Sequence, residues 1–373
     1  MEKNFRKSFA EIETACRKNF PANEKLTEAF NVLENDSESS ADEILDVMNR
    51  IAETFIMEEN FSEAAAWRER AWNFCRENFL EDAPETLRAL RNLIGVYEDS
   101  EDYDKIELYR RKLHAVKEKN LGAAHIEVIL EKENIADTLH EAGKYDDELE
   151  LRKQIVKLYC ENFSANAANK NKRHWNEFIR AMNELAFSFD EAEQESEALG
   201  VRKQIVDERK NFYRMLKKNS AGDKEIIRAL EDVIDDLNAV DDSDEELFYR
   251  LELVNFCREK NANSDDTLEA LGRLATFYRE HERTADEFET LKEIVGAQKN
   301  RLQQLKKNSA DDEEIIDALN YLAHILNVVG DSDEELFYRL ELVNFCREKN
   351  PQSDDTRRAL KSLADFYSAR EFD

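Results

Sequence analysis

Along residues 86–97 the apolar side chains fall at 87, 90, 93, 94 and 97, the spacing that lines one face of an α-helix. A polar break from Glu98 to Asp102 follows, and a second periodic stretch opens at Tyr103 and runs through Ile106, Tyr109 and Leu113. Together they predict a helical hairpin. The same pattern returns 42 residues on, where Leu139, Tyr145, Leu151 and Arg152 take the places of Tyr97, Tyr103, Tyr109 and Arg110. It also stands 42 residues back, at Phe55, Phe61, Trp67 and Arg68. Arg152-Lys153-Gln154-Ile155-Val156 recurs as Arg202-Lys203-Gln204-Ile205-Val206, an offset of 50, with the extra residues in the polar stretch near Ser164 to Lys172.

A longer period is superimposed. The twenty residues from Asp242 to Asn261 recur without change from Asp331 to Asn350, 89 positions later. Lys217-Lys218-Asn219-Ser220 and Lys306-Lys307-Asn308-Ser309 share that offset, which marks a duplication of a block holding two hairpins. Cys75, Cys257 and Cys346 sit in the same five-residue word, Asn-Phe-Cys-Arg-Glu, while Cys160 and Cys16 lie in related contexts. The five thiols are expected at one structural position, the end of every second outer helix, as small buried hydrophobes. Inner helices are predicted to begin near Asp42, Glu85, Val128, Asn176, Glu225, Asp266, Glu314 and Asp355. One hairpin cannot bury its apolar face alone, so neighbouring hairpins must stack. The expected organisation is an N-terminal helical cap over residues 1–40, set off by Pro21 and the polar run Asn35 to Ser40. A solenoid of about seven to eight hairpins over 41–373 follows, the last one incomplete.

Asn134-Ile135-Ala136-Asp137-Thr138-Leu139-His140-Glu141-Ala142-Gly143-Lys144-Tyr145 resembles the tetratricopeptide (TPR) motif N-L-A-x-x-Y-x-x-x-G-x-Y. The 42-residue period is similar to the long repeats of kinesin light chain. Gly143 would close the first helix and Tyr145 would staple the second. The alanine that the motif places early in the second helix is absent, since Glu148 and Leu149 stand there. A HEAT or armadillo array has a comparable repeat length; the aromatic staple and the scarcity of proline favour the TPR-like reading. The resemblance implies an all-α solenoid of stacked antiparallel hairpins in a right-handed superhelix, with ligands taken on the concave face lined by inner helices. In that register the face carries Asn49 and Glu53; Arg91; Glu133, Asp137 and His140; and Asn183, Phe187 and Asp190. It continues with Glu231, Asp235 and Asn238; Thr276 and Arg279; and Asn320, His324 and Asn327. Asparagine amides can bond a peptide backbone through both donor and acceptor, and the excess of acids points to a basic or mixed-charge partner segment.

Composition supports the helical reading: 8 Gly and 3 Pro leave little punctuation for strands, and charged residues reach 37% in 373 positions. The formal charge of −30 repels phosphate backbones and anionic membrane surfaces, so neither nucleic acid nor membrane is expected as a partner. The start of the chain lacks a secretory apolar core, and the cysteines show no CxxC spacing, so a cytoplasmic location is expected, without disulfides or a zinc site. No phosphate-binding, dinucleotide, nucleophile-elbow or HExxH motif occurs, and the six histidines are scattered. The acidic runs at Asp241–Glu246, Asp311–Glu314 and Asp331–Glu335 stand where helices should begin, which assigns them to capping. The expectation is therefore a non-enzymatic adaptor for a protein or peptide, with no catalytic residue, cofactor, metal or small-molecule substrate evident. The alternative is a sensor or regulatory part that restrains a separate protease, nuclease or transcription factor.

Overall fold

The computed structural model describes residues 41–165, 172–308 and 310–370. The expected N-terminal cap, Cys16 and the inserted residues 166–171 lie outside them. Fifteen α-helices are found among the described residues, joined by turns and without a strand. They are α1 (Ala41–Met57), α2 (Phe61–Asn78), α3 (Pro84–Asp99), α4 (Tyr103–Leu121), α5 (Ile126–Glu141), α6 (Tyr145–Ala165) and α7 (Lys172–Glu191). Next come α8 (Glu195–Lys218), α9 (Asp223–Ala239), α10 (Ser243–Asn261), α11 (Asp265–Glu280), α12 (Thr284–Lys307), α13 (Asp312–Val329), α14 (Ser332–Lys349) and α15 (Asp354–Arg370). The odd-numbered helices are the inner ones, and each begins within four residues of its expected start.

Two compact units are formed, Met1–Val201 and Arg202–Asp373, with the junction inside α8. Within each unit helices pack on their neighbours in sequence, giving an all-α solenoid of stacked antiparallel hairpins. In the first unit Met48, Ile51, Phe55, Trp67 and Leu93 are buried between α1, α2 and α3. In the second, Leu230, Val233, Leu319 and Leu322 form the centre of a core that runs from α8 to α15. Full burial of such side chains contributes about 1.5–3 kcal/mol each, so the repeated apolar face carries the stability of the stack.

The inner-to-outer turn is built the same way seven times. The N–H groups of Asn60, Asp102, Lys144, Gln194, Asp242, Arg283 and Asp331 reach back to the carbonyls of Phe55, Tyr97, Leu139, Phe189, Leu237, Tyr278 and Leu326. That six-to-one bond defines a Schellman end, which requires a left-handed residue just before the donor. Gly143 supplies it in the motif first recognised in the sequence (φ 69°), and Gly330 in another hairpin (φ 82°). In the other five turns Glu59, Glu101, Glu193, Asp241 and Glu282 hold φ near 56° instead, which is why the motif's glycine is legible only sporadically. The donor then becomes the N-cap of the next helix: Asn60, Asp102, Asp242 and Asp331 each accept a bond from the backbone N–H three residues on. Two of the acidic runs are thereby anchored as caps.

The cysteine expectation needs one correction. Cys75, Cys257 and Cys346 are buried, each as the fifteenth residue of its outer helix, but Cys160 is exposed. Counting two 42-residue repeats from Cys75 leads to Tyr159, and it is Tyr159 that occupies the buried position in α6. Cys160 is one residue out of register, which turns its side chain roughly 100° around the helix into solvent.

Candidate functional site

The inner face of the first unit is dominated by internal pairing. Where the TPR motif has a small alanine early in the outer helix, α6 has Glu148, only 1% exposed. Its carboxylate is compensated on both oxygens. Arg152, four residues on, donates from Nε at 2.8 Å; Ser188 of α7 donates at 2.9 Å; and His140 Nδ1 lies 3.0 Å from Oε2. Arg152 extends to the inner face and bonds Asp137 at 2.9 Å. Phe187 packs against His140 with ring centroids 5.9 Å apart, and Tyr145, which remains half exposed, meets His140 edge-on. Asp137, His140 and Phe187 therefore do come together, held by an ion-pair network that the sequence reading missed.

The same device recurs. Arg250 pairs with the buried Glu246 and Arg339 with the buried Glu335, each at i, i+4. An inner-helix residue eight positions before the acid reaches it as well: Asn327 bonds both oxygens of Glu335 at 3.2 Å, and in α12, where Leu291 stands in place of the arginine, Arg279 bonds Glu287 at 2.7 Å. In α2, whose fourth residue is alanine, Arg68 turns instead to Asn49 and Glu53. Glu133 lies deeper than the register implied. It is 4% exposed, hydrogen-bonded by Tyr159 and ion-paired with Arg180, and burial pushes its carboxyl above the ordinary carboxylate range. Arg91 and Asn183 are exposed, Asn183 donating to the Ile179 carbonyl, and Asp190 is half-buried.

In the second unit the predicted positions converge on an open groove of ≈ 1160 Å³ between α9, α11, α12 and α13. Glu231, Asp235, Asn238, Thr276, Asn320 and His324 all line it. The lining carries seven carboxylates, Glu231, Asp235, Asp265, Glu269, Glu280, Glu314 and Asp317, against the guanidinium groups of Arg250, Arg273 and Arg301. Arg273 is held by Glu231 (3.0 Å) and Glu269 (2.8 Å), and Arg301 by Asp265 (2.5 Å). Asp235, Glu280, Glu314 and Asp317 have no ion-pair partner among the described residues. The crowding shows in Glu231, whose carboxyl is raised above its usual value by burial, Arg273 opposing and Glu269 and Asp235 adding to it. Beyond His324 a second hollow of ≈ 620 Å³ begins at Asn327 and includes Arg339, Arg358 and Lys361.

The duplicated blocks differ along this face, as they also do between the outer helices α8 and α12. The outer helices α10 and α14 are identical, yet many positions of the inner face have changed: Glu231 to Asn320, Asp235 to His324, Glu269 to Arg358, Gly272 to Lys361 and Thr276 to Asp365. Sequence reasoning overlooked Gln298, Glu314 and Asp317, which complete the groove floor and its α13 edge. A signal for Gln298 was present, since it takes the place that Arg209 fills 89 residues earlier and is neutral where that residue is charged.

Hairpin geometry and turn chemistry define this chain as a TPR-like α-solenoid. No family model and no curated protein matches it. Among solved structures, a Podosopora anserina protein of kinesin-light-chain type, with nearly identical TPR-like repeats, aligns over 71% of this chain and 98% of its own at 14% identity and a TM-score of 0.33. BtubC (BKLC) from P. vanneervenii aligns over 55% and 80%, at 11% identity and a TM-score of 0.36. The apo form of RapI aligns over 85% and 99%, at 11% identity and a TM-score of 0.34. At these values the similarity says nothing about what this chain binds.

Proposed function

We propose that this protein is a non-enzymatic scaffold that holds a segment of a partner protein, basic or mixed in charge, along the inner face of α9, α11 and α13. The observation that carries this reading is the second-unit groove: six predicted face positions surround an open space in which four carboxylates have no cationic partner among the described residues. An unpaired carboxylate in a groove favours a cation from outside over one already bonded within the fold. In the hollow that begins at Asn327, Lys361 has no ion-pair partner among the described residues and suits an acidic residue of the same segment, which accounts for a partner of mixed charge. The diversified inner face fits a surface that reads a non-repeating segment, position by position.

Selection of a randomised 12-residue peptide library on the full chain tests the proposal. Enriched peptides should carry Lys or Arg and should lose at least tenfold in affinity for a chain carrying D235K, E280K and D317K. Equal binding to that variant would sink the groove reading, as would failure of the library to enrich at all.

A further inference from the structure

The fifteenth residue of an outer helix faces the interior: it is apolar and buried in α2 (Cys75), α6 (Tyr159), α10 (Cys257) and α14 (Cys346), and in α4 and α8 it is a cation, Lys117 and Arg209, paired with acids of the following inner helix. In α12 the same place holds Gln298, 2% exposed. Its Nε2 donates to the Ala318 carbonyl at 3.4 Å, whereas Oε1 has no hydrogen-bond partner. The orientation of the amide follows from Ala318, because a carbonyl can only accept and so draws the NH2 group to itself. The oxygen is left on the other side of the amide, in a residue that lines the groove. A buried acceptor without a donor destabilises the fold and calls for a functional explanation.

The surroundings define which donor fits. Ala318 lies on α13, directly after Asp317 and one turn beyond Glu314, the two groove carboxylates of this helix that have no ion-pair partner among the described residues. The groove's own guanidinium groups do not serve, since Arg301 is bonded to Asp265, Arg273 to Glu231 and Glu269, and Arg250 to Glu246. A neutral acceptor in a groove that also carries these two carboxylates matches a planar group with several N–H donors and a positive charge. Guanidinium presents five donors in a fixed fork and can serve an amide oxygen and a carboxylate at once. An ammonium offers its donors from a single point.

We propose that Gln298, Glu314 and Asp317 form a subsite for one arginine side chain of the bound segment. The subsite rests on the groove reading above and names the residue type that the groove selects at this point. It also sets α12 apart from α4 and α8, where Lys117 and Arg209 stand at this place and are held by Glu131 and by Asp232 and Asp236 of the next inner helix; in α12 a neutral glutamine stands there instead.

The test uses the full chain, the tightest peptide from the 12-residue library and fluorescence anisotropy. The peptide should contain an arginine whose replacement by citrulline, equal in shape and uncharged, lowers affinity at least tenfold. Q298L should lower affinity for the arginine peptide about tenfold and have no further effect on a peptide with norleucine, which has no N–H donor, in place of that arginine. Q298C, which restores the residue of α10 and α14, should behave like Q298L; both should melt at or above the wild-type temperature. The double variant E314Q/D317N should weaken the arginine peptide and spare the citrulline one. Peptides that depend on Asp235 and Glu280 yet bind Q298C and E314Q/D317N as they bind wild type would overturn the subsite and leave the groove standing. Selected peptides without arginine would overturn it as well. Peptides indifferent to every groove variant would remove both proposals together.

Discussion

A carboxylate at 1% exposure survives only if every lone pair that faces the interior finds a donor, and Glu148 shows how this chain arranges it. Arg152, Ser188 and His140 come from three different helices, so the residue that breaks the TPR alanine rule also ties α5, α6 and α7 together. Removing one partner leaves the charge stranded: Arg152→Ala should lower stability by about 3 kcal/mol in urea unfolding, near the low end for a broken buried pair. The five acidic residues held in the left-handed region make an opposite prediction. Replacing Glu101 or Glu282 by glycine relieves the Cβ clash at a smaller entropic cost, and each should stabilise by roughly 0.5–1 kcal/mol, read as a higher Tm. Two further carboxylates should separate by pH. Hydrogen bonds from Lys217 and Tyr213 hold Glu252 below the ordinary 4.5, so its contribution is present at neutral pH and is lost as pH falls through its lowered value. The stability of Glu252→Gln relative to wild type should therefore fall as pH rises from strongly acid toward 4.5. Glu231, raised chiefly by burial, works the other way: the relative stability of Glu231→Gln should climb as pH increases above 4.5. Denaturant midpoints across that range check both signs.

At the scale of the element, α10 and α14 offer an internal control, because the same eighteen residues from Ser to Lys form a helix twice with the same cap. Asp242→Ala and Asp331→Ala each remove one N-cap bond, and each should cost about 1 kcal/mol, with nearly additive effects in the double variant. A marked inequality between the two would show that the neighbouring hairpins, rather than the cap, set the stability of these turns. Successive outer helices are further laced by ion pairs, such as Lys217 to Glu252 (2.5 Å) and Arg258 to Glu293 (2.5 Å). These are exposed pairs of small individual worth, so they serve alignment of the helices more than stability.

For the molecule as a whole, the charge of −30 and the unpaired groove carboxylates act together on any basic segment that approaches. Association with an arginine-bearing library peptide should slow markedly between about 50 and 300 mM salt, while dissociation changes less, because screening acts on the long-range attraction. Stopped-flow measurement at several ionic strengths checks this. No helix among the described residues is long and apolar enough to cross a membrane.

Much of this was legible in the chain because a repeat writes its fold many times over. The periods of 42 and 89 residues located every described inner helix, since apolar spacing is a local property that one helix face must satisfy wherever it packs. The caps could likewise be read from Asp242 and Asp331. Depth and pairing could not be read in this way. Glu133 and Asp137 sit on one predicted face four residues apart, yet the first is buried under Arg180 and Tyr159 while the second remains exposed. That difference depends on which side chains the next hairpin brings across, a relation between segments distant in sequence. Cys160 was misplaced by reading residue identity where register decided. By itself the sequence determined an all-α chain of repeated hairpins with an acidic inner face. Tertiary structure alone decided which acids are neutralised within the fold, which stay open in the second-unit groove, and that Gln298 carries an unmet acceptor there, because these outcomes are set by packing between helices.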